Sequence, residues 1–133
     1  DDNPPTDPWA QRGDKVDALM CETEGLYNEL IKCPGNADSV EWPIEMTRAR
    51  EASARYLWPN SATHLEKRLS RIKCDTLVLW GKQDKVQPPE YSETLREGIS
   101  GMVTTQIIGK AGHMAELDQP DAVAAAVSQF LEG

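Results

Sequence analysis

The sequence predicts an α/β protein in two parts. A helical region spans 1–71, and a β-α-β-α unit with two parallel strands spans 72–133. Three observations carry this. Thr76-Leu77-Val78-Leu79-Trp80 is a short continuous apolar run stopped by Gly81, the pattern of a strand covered on both faces. Val103 to Ile108 forms a second strand-like run. Everything before residue 72 instead places its apolar residues at helical spacings.

In order, residues 1–8 are rich in Pro, Asp and Asn and predict an extended lead-in. Residues 9–33 predict two short helices, with Ala10, Val16, Leu19 and Met20 at helical spacings on one and Leu26, Leu30 and Ile31 on the other. Thr23-Glu24 is placed to start the second, and Pro34-Gly35-Asn36 to stop it. Trp42-Pro43 punctuates the chain, and 44–57 then predicts a helix rich in Ala, Arg, Glu and Met. Ser61 or Thr63 can cap a short helix reaching Arg71, with Leu65, Leu69 and Ile72 on one face. After the first strand, Pro88-Pro89 can open a helix carrying Tyr91, Leu95 and Ile99. After the second strand comes a glycine-containing loop over 109–116. A helix over 119–131 follows, with Asp118 as its N-cap and Val123, Val127, Phe130 and Leu131 facing inward.

The 133 residues suit one domain or part of one, and the net charge is −8. A field of that sign repels phosphate backbones, so nucleic acid is not an expected partner. Residues 48–73 carry seven basic and two acidic side chains, read as a solvated helix face. No apolar run approaches the ~18–20 residues of a membrane span, and no signal peptide is recognisable. The chain opens on Asp1 with no initiator Met, so preceding sequence is expected. Cys21, Cys33 and Cys74 are odd in number and widely spaced, which favours a reducing, cytoplasmic setting over disulfides or zinc. No phosphate-binding glycine motif or metal-ligand cluster occurs, so no cofactor is implied.

His64 begins a polar helix and suits a structural or surface role. His113, in Gly109-Lys110-Ala111-Gly112-His113-Met114, follows the second strand. Asp84, in Gly81-Lys82-Gln83-Asp84, follows the first. In open α/β sheets ligands meet the carboxyl ends of the strands. Two parallel strands thus present a carboxylate and an imidazole at one sheet edge. A carboxylate accepting from imidazole Nδ1 fixes the tautomer and stabilises the imidazolium formed when Nε2 takes a proton. From spacing alone, Asp84 could equally cap a turn and His113 could be a satisfied surface group.

The stretch from Thr76 through Asp84 to Tyr91 resembles the α/β-hydrolase segment that ends the seventh strand and supplies the catalytic acid. Gly109 to Pro120, with His113, resembles the segment after the eighth strand that supplies the catalytic histidine. The order Asp then His is the family's order. Residues from Trp9 to Arg71 resemble the helical cap many members insert ahead of these strands. The resemblance implies a partial α/β-hydrolase in which His113 is general base and acid and Asp84 orients it. It implies a small apolar ester-like substrate in a cap pocket formed with Trp42, Met46, Tyr56 and Trp58. Ordinary core packing is the competing reading for those four. No G-x-S-x-G occurs, and Ser100 lacks its spacing, so the nucleophile is expected in sequence this chain does not contain. The alternative is a non-enzymatic binding or oligomerisation module built from half the fold. In both cases the free sheet edge is expected to be covered by the missing half or by a second copy.

Overall fold

The structure, a computed structural model, describes residues 5–12, 14–57 and 65–133. Its centre is a pair of parallel strands, β1 (Thr76–Gly81) and β2 (Val103–Ile108), registered from Thr76 opposite Val103 to Gly81 opposite Ile108. The lead-ins are locked together. Ser100 and Gly101 both donate their N–H to the Ile72 carbonyl at 3.1 Å. A Cβ at position 101 would lie 2.0 Å from the Cys74 carbonyl oxygen, so only glycine fits there.

Side chains alternate along a strand, so each strand needs cover on two sides. Helix α5 (Tyr91–Gly98) joins the strands and borders Trp80 with Tyr91 and Leu95. Helix α7 (Pro120–Glu132) takes the other face. There Val123 and Leu79 pack against Ile108, Ala111 and Ala115, and Ala126 and Phe130 border Leu77. Two short helices complete this half. In α4 (Glu66–Leu69) Leu69 is buried, and α6 (Ala115–Asp118) falls where a loop is expected.

Before them lie α1 (Asp14–Met20), α2 (Leu26–Leu30) and α3 (Glu41–Leu57). Asp17 is buried and accepts the N–H groups of Gly25 at 2.6 Å and Asn28 at 3.0 Å, which sets the turn between α1 and α2. Helix α2 starts after Gly25, at φ +80, rather than at Thr23. Helix α3 starts at Glu41, so Trp42-Pro43 lies inside its first turn, where proline lacks only an N–H that has no helical partner. Asp38 caps this start by accepting from Val40 at 2.7 Å and Glu41 at 3.0 Å. The Glu41 and Val40 hydrogen bonds hold its carboxyl below the usual range.

Helix α7 departs from expectation in two ways. Val127 and Leu131 are exposed, at 39% and 76%, because a two-stranded sheet is too narrow to cover the whole apolar stripe of α7. Asp118 does not cap α7, whose first residues receive no side-chain hydrogen bond; its carboxylate turns elsewhere. The proposed caps Ser61 and Thr63, with His64, lie outside the described residues. Among the described residues no helix is long and apolar enough to cross a membrane.

Candidate active site

The chain leaves β1 tightly packed. Lys82 donates its N–H to the Ile108 carbonyl at 2.8 Å, carrying the ladder one residue past the strands. A Cβ on Gly81 would sit 1.9 Å from the Gly112 carbonyl oxygen, so glycine here lets the two loops touch. Asp84 then folds back on its own loop. Its Oδ1 accepts the N–H groups of Val86 at 2.8 Å and Gln87 at 2.9 Å, a local Asx-type turn. One carboxylate oxygen is thereby held, and the other points to the neighbouring loop.

The loop after β2 is held residue by residue. Lys110 adopts φ +56, a left-handed conformation that costs a side-chain-bearing residue about 1–2 kcal/mol. Ala111 is fully buried. Gln83 brackets it, donating its N–H to the Ala111 carbonyl at 2.9 Å and accepting the Ala111 N–H on Oε1 at 3.1 Å. Met114 donates to the Met20 carbonyl at 2.8 Å. His113 stands between these anchors, with Nδ1 3.0 Å from Asp84 Oδ2.

An ionised carboxylate only accepts, so Nδ1 carries the hydrogen and the Nε2 lone pair of the neutral ring is left free. The Asp84 side chain is 4% exposed and that of His113 is 33% exposed. The charge is therefore sheltered, while the imidazole remains reachable. A hollow of 310 Å³ adjoins the pair, lined by Leu79, Trp80, Gln87, Glu116 and Val123 among others. This arrangement can accept a proton at Nε2 and stabilise the resulting cation through Asp84.

Asp84 and His113 are thus brought together, but the four expected pocket residues are not gathered around them. Trp42 and Met46 line a separate 350 Å³ hollow with Val16, Tyr27 and Ile31. There the Trp42 indole N–H donates to the Ile31 carbonyl at 3.0 Å. Tyr56 is 85% exposed, and Trp58 lies outside the described residues. Two supports are not legible in the sequence. Gln83 has no motif to announce it, and the position of Asp118 before α7 suggests only a local cap. Asp118 is buried and accepts from Gly112, Glu22 and Thr23. Burial raises its pKa, but those hydrogen bonds outweigh burial and hold the carboxyl below its usual range. Beside it, burial and then the charge of Asp118 push the Cys21 thiol up to about 11, so it stays protonated and unreactive.

Helix-covered parallel strands, with acid and histidine loops at their carboxyl ends in that order, are part of an α/β-hydrolase fold. The backbone agrees with solved members. A bacterial membrane phospholipase A superposes on 96% of this chain and 41% of its own, with a TM-score of 0.64 at 20% identity. The 2-hydroxy-6-oxo-6-phenylhexa-2,4-dienoate hydrolase from Rhodococcus sp. covers 90% of this chain and 43% of its own, with a TM-score of 0.54 at 18% identity. The chain therefore has the fold of part of an α/β-hydrolase.

Among curated proteins, the 2-hydroxy-6-oxononadienedioate/2-hydroxy-6-oxononatrienedioate hydrolases of Escherichia coli strains SE11 and HS are similar to it. They are 36% identical over 64 residues, which is 48% of this chain and 22% of each relative. No family model matches the chain.

Proposed function

We propose that these residues are the C-terminal, acid- and histidine-bearing part of a cap-bearing α/β-hydrolase, whose nucleophile is supplied by sequence outside this chain. The observation that carries the reading is the 3.0 Å contact between Asp84 Oδ2 and His113 Nδ1 at neighbouring strand ends. In this reading His113 Nε2 removes the proton from the nucleophile, then returns it to the leaving group. Asp84 keeps the ring in the required tautomer and stabilises its charged form. A binding or oligomerisation module would have no need of this contact.

The substrate proposed is a small, largely apolar acyl compound. Leu79, Trp80 and Val123 beside His113 suit such a molecule. Esters come first. The 2-hydroxy-6-oxo-dienedioates named for the relatives form a second class to assay. Helices α1 to α3 would serve as cap, with Trp42, Met46, Tyr56 and Trp58 reaching substrate once the whole enzyme is assembled. The outer edge of β1, unpaired among the described residues, would be covered by the remaining sheet or by a second copy. Three free cysteines suit a cytoplasmic setting.

The test is turnover of a p-nitrophenyl ester by a polypeptide joining these residues to a nucleophile-bearing sequence. His113→Ala and Asp84→Asn are each expected to lower kcat by roughly 10³–10⁴-fold. A His113→Ala rate equal to the parent's would remove the histidine from the mechanism.

A further inference from the structure

Met20, the last residue of α1, and residues 21–23 after it lie directly against the loop that carries His113. The carboxylate of Asp118 sits in the seam. Its Oδ2 accepts the N–H of Gly112 at 2.8 Å and of Glu22 at 2.9 Å, and its Oδ1 accepts the N–H of Thr23 at 2.8 Å. Beside it, Met114 donates its N–H to the Met20 carbonyl at 2.8 Å. The fit leaves no slack, since a Cβ on Gly112 would lie 3.0 Å from the Glu22 nitrogen. The same segment reaches the other loop. Lys85, next to Asp84, contacts the Ala18 carbonyl at 3.2 Å and the Glu22 carboxylate at 3.3 Å.

A carboxylate so near the start of α7 could cap that helix, but it does not. It instead ties the Gly112 N–H to the N–H groups of Glu22 and Thr23, which lie 96 and 95 positions from Asp118 in sequence, while staying 9% exposed. Buried and charged, it is held by three N–H donors and by the Thr23 side chain, and such donors are stronger partners for an anion than for a neutral group. If the carboxylate were removed, three N–H groups would lose their acceptor, and one of them belongs to the residue just before His113. The Nδ1–Asp84 contact tolerates little movement, because a hydrogen bond weakens steeply as distance and angle depart from ideal.

We propose that Asp118 is a positioning residue: it locks the helical N-terminal segment onto the His113 loop and thereby keeps the imidazole in register with Asp84. Its catalytic meaning rests on the reading of His113 as the base.

The test uses the isotope-labelled 133-residue chain, amide hydrogen exchange and the His113 ring N–H resonance. Asp118→Asn keeps the size but replaces one acceptor oxygen with an N–H₂ donor facing N–H donors. Gly112, Glu22 and Thr23 are expected to exchange at least about 10-fold faster, and the ring N–H signal to broaden, while the β1–β2 ladder amides stay protected. Thr23→Pro, at an exposed position, keeps the carboxylate and deletes both donors of that residue, its N–H and its hydroxyl. It is expected to act in the same direction to a smaller extent, and it decides the matter if Asp118→Asn unfolds the strands. A sharp, unchanged His113 ring N–H signal in a chain whose Gly112 amide has been released overturns the proposal. So does unchanged exchange at all three amides. Neither result depends on turnover, so an inactive base (full activity in His113→Ala) would end the hydrolase reading separately and leave only the mechanical seam.

Discussion

Residues 14–57 and residues 76–132 are both rich in helix, yet they are organised by different physics. In the second region each element has a face to bury. Val78, Ile108, Ala111 and Ala126 lie at 7%, 3%, 0% and 5% exposure, and two helices cover two strands. In the first region α3 exposes Ile44 at 48% and Tyr56 at 85%. It is tied back through Trp42 to the Ile31 carbonyl and through Arg50 to the Gln11 carbonyl. Local helix propensity and the Asp38 cap make α3, whereas tertiary burial makes β1 and β2. The Asp84–His113 contact depends on the second kind of order, and both residues lie in that half.

The largest effect should come where the two loops touch. Gly81→Val would drive a side chain into the Gly112 backbone and cost about 3 kcal/mol or more. Urea denaturation measures the loss, and near-wild-type stability would mean that the loops are not in contact.

A matched pair sharpens the contrast between the regions. Ile108→Ala should cost about 3 kcal/mol, whereas Ile44→Ala on α3 should cost less than about 1 kcal/mol. Equal losses in thermal unfolding would show that α3 is buried after all.

A third prediction concerns pH. The folded-state pKa of Asp118 is depressed, so its stabilisation is fully present above the ordinary carboxyl value of about 4 and is lost as pH falls through the lower folded value. The difference in urea midpoint between parent and Asp118→Asn should therefore shrink as pH is lowered from about 6 to about 3. A constant difference would mean that Asp118 is not ionised in the fold.

Much of the core half was legible in the sequence because its signals are local. An apolar run ended by Gly81, a second run from Val103 and a helix rich in Ala and Val each declare themselves within a few residues. Strand order then puts Asp84 and His113 at the same sheet edge. Sequence signals fail where partners are distant. Asp118 beside Gln119-Pro120 looks like a helix cap, and nothing nearby reveals that Glu22 and Thr23 hold it. Gln83 is as silent, because its partner Ala111 is 28 positions away. Periodicity marked Val127 and Leu131 as apolar, but it cannot say what covers them, and within these residues both remain in solvent.

The most direct test looks at the imidazole itself. Nuclear magnetic resonance on the labelled chain should detect a slowly exchanging His113 Nδ1–H, because Asp84 Oδ2 lies 3.0 Å away and only 4% of that side chain is exposed. Asp84→Ala should abolish the signal, while His64→Gln should leave it in place. A ring proton that exchanges freely in the parent chain, or one that survives Asp84→Ala, would contradict the pairing.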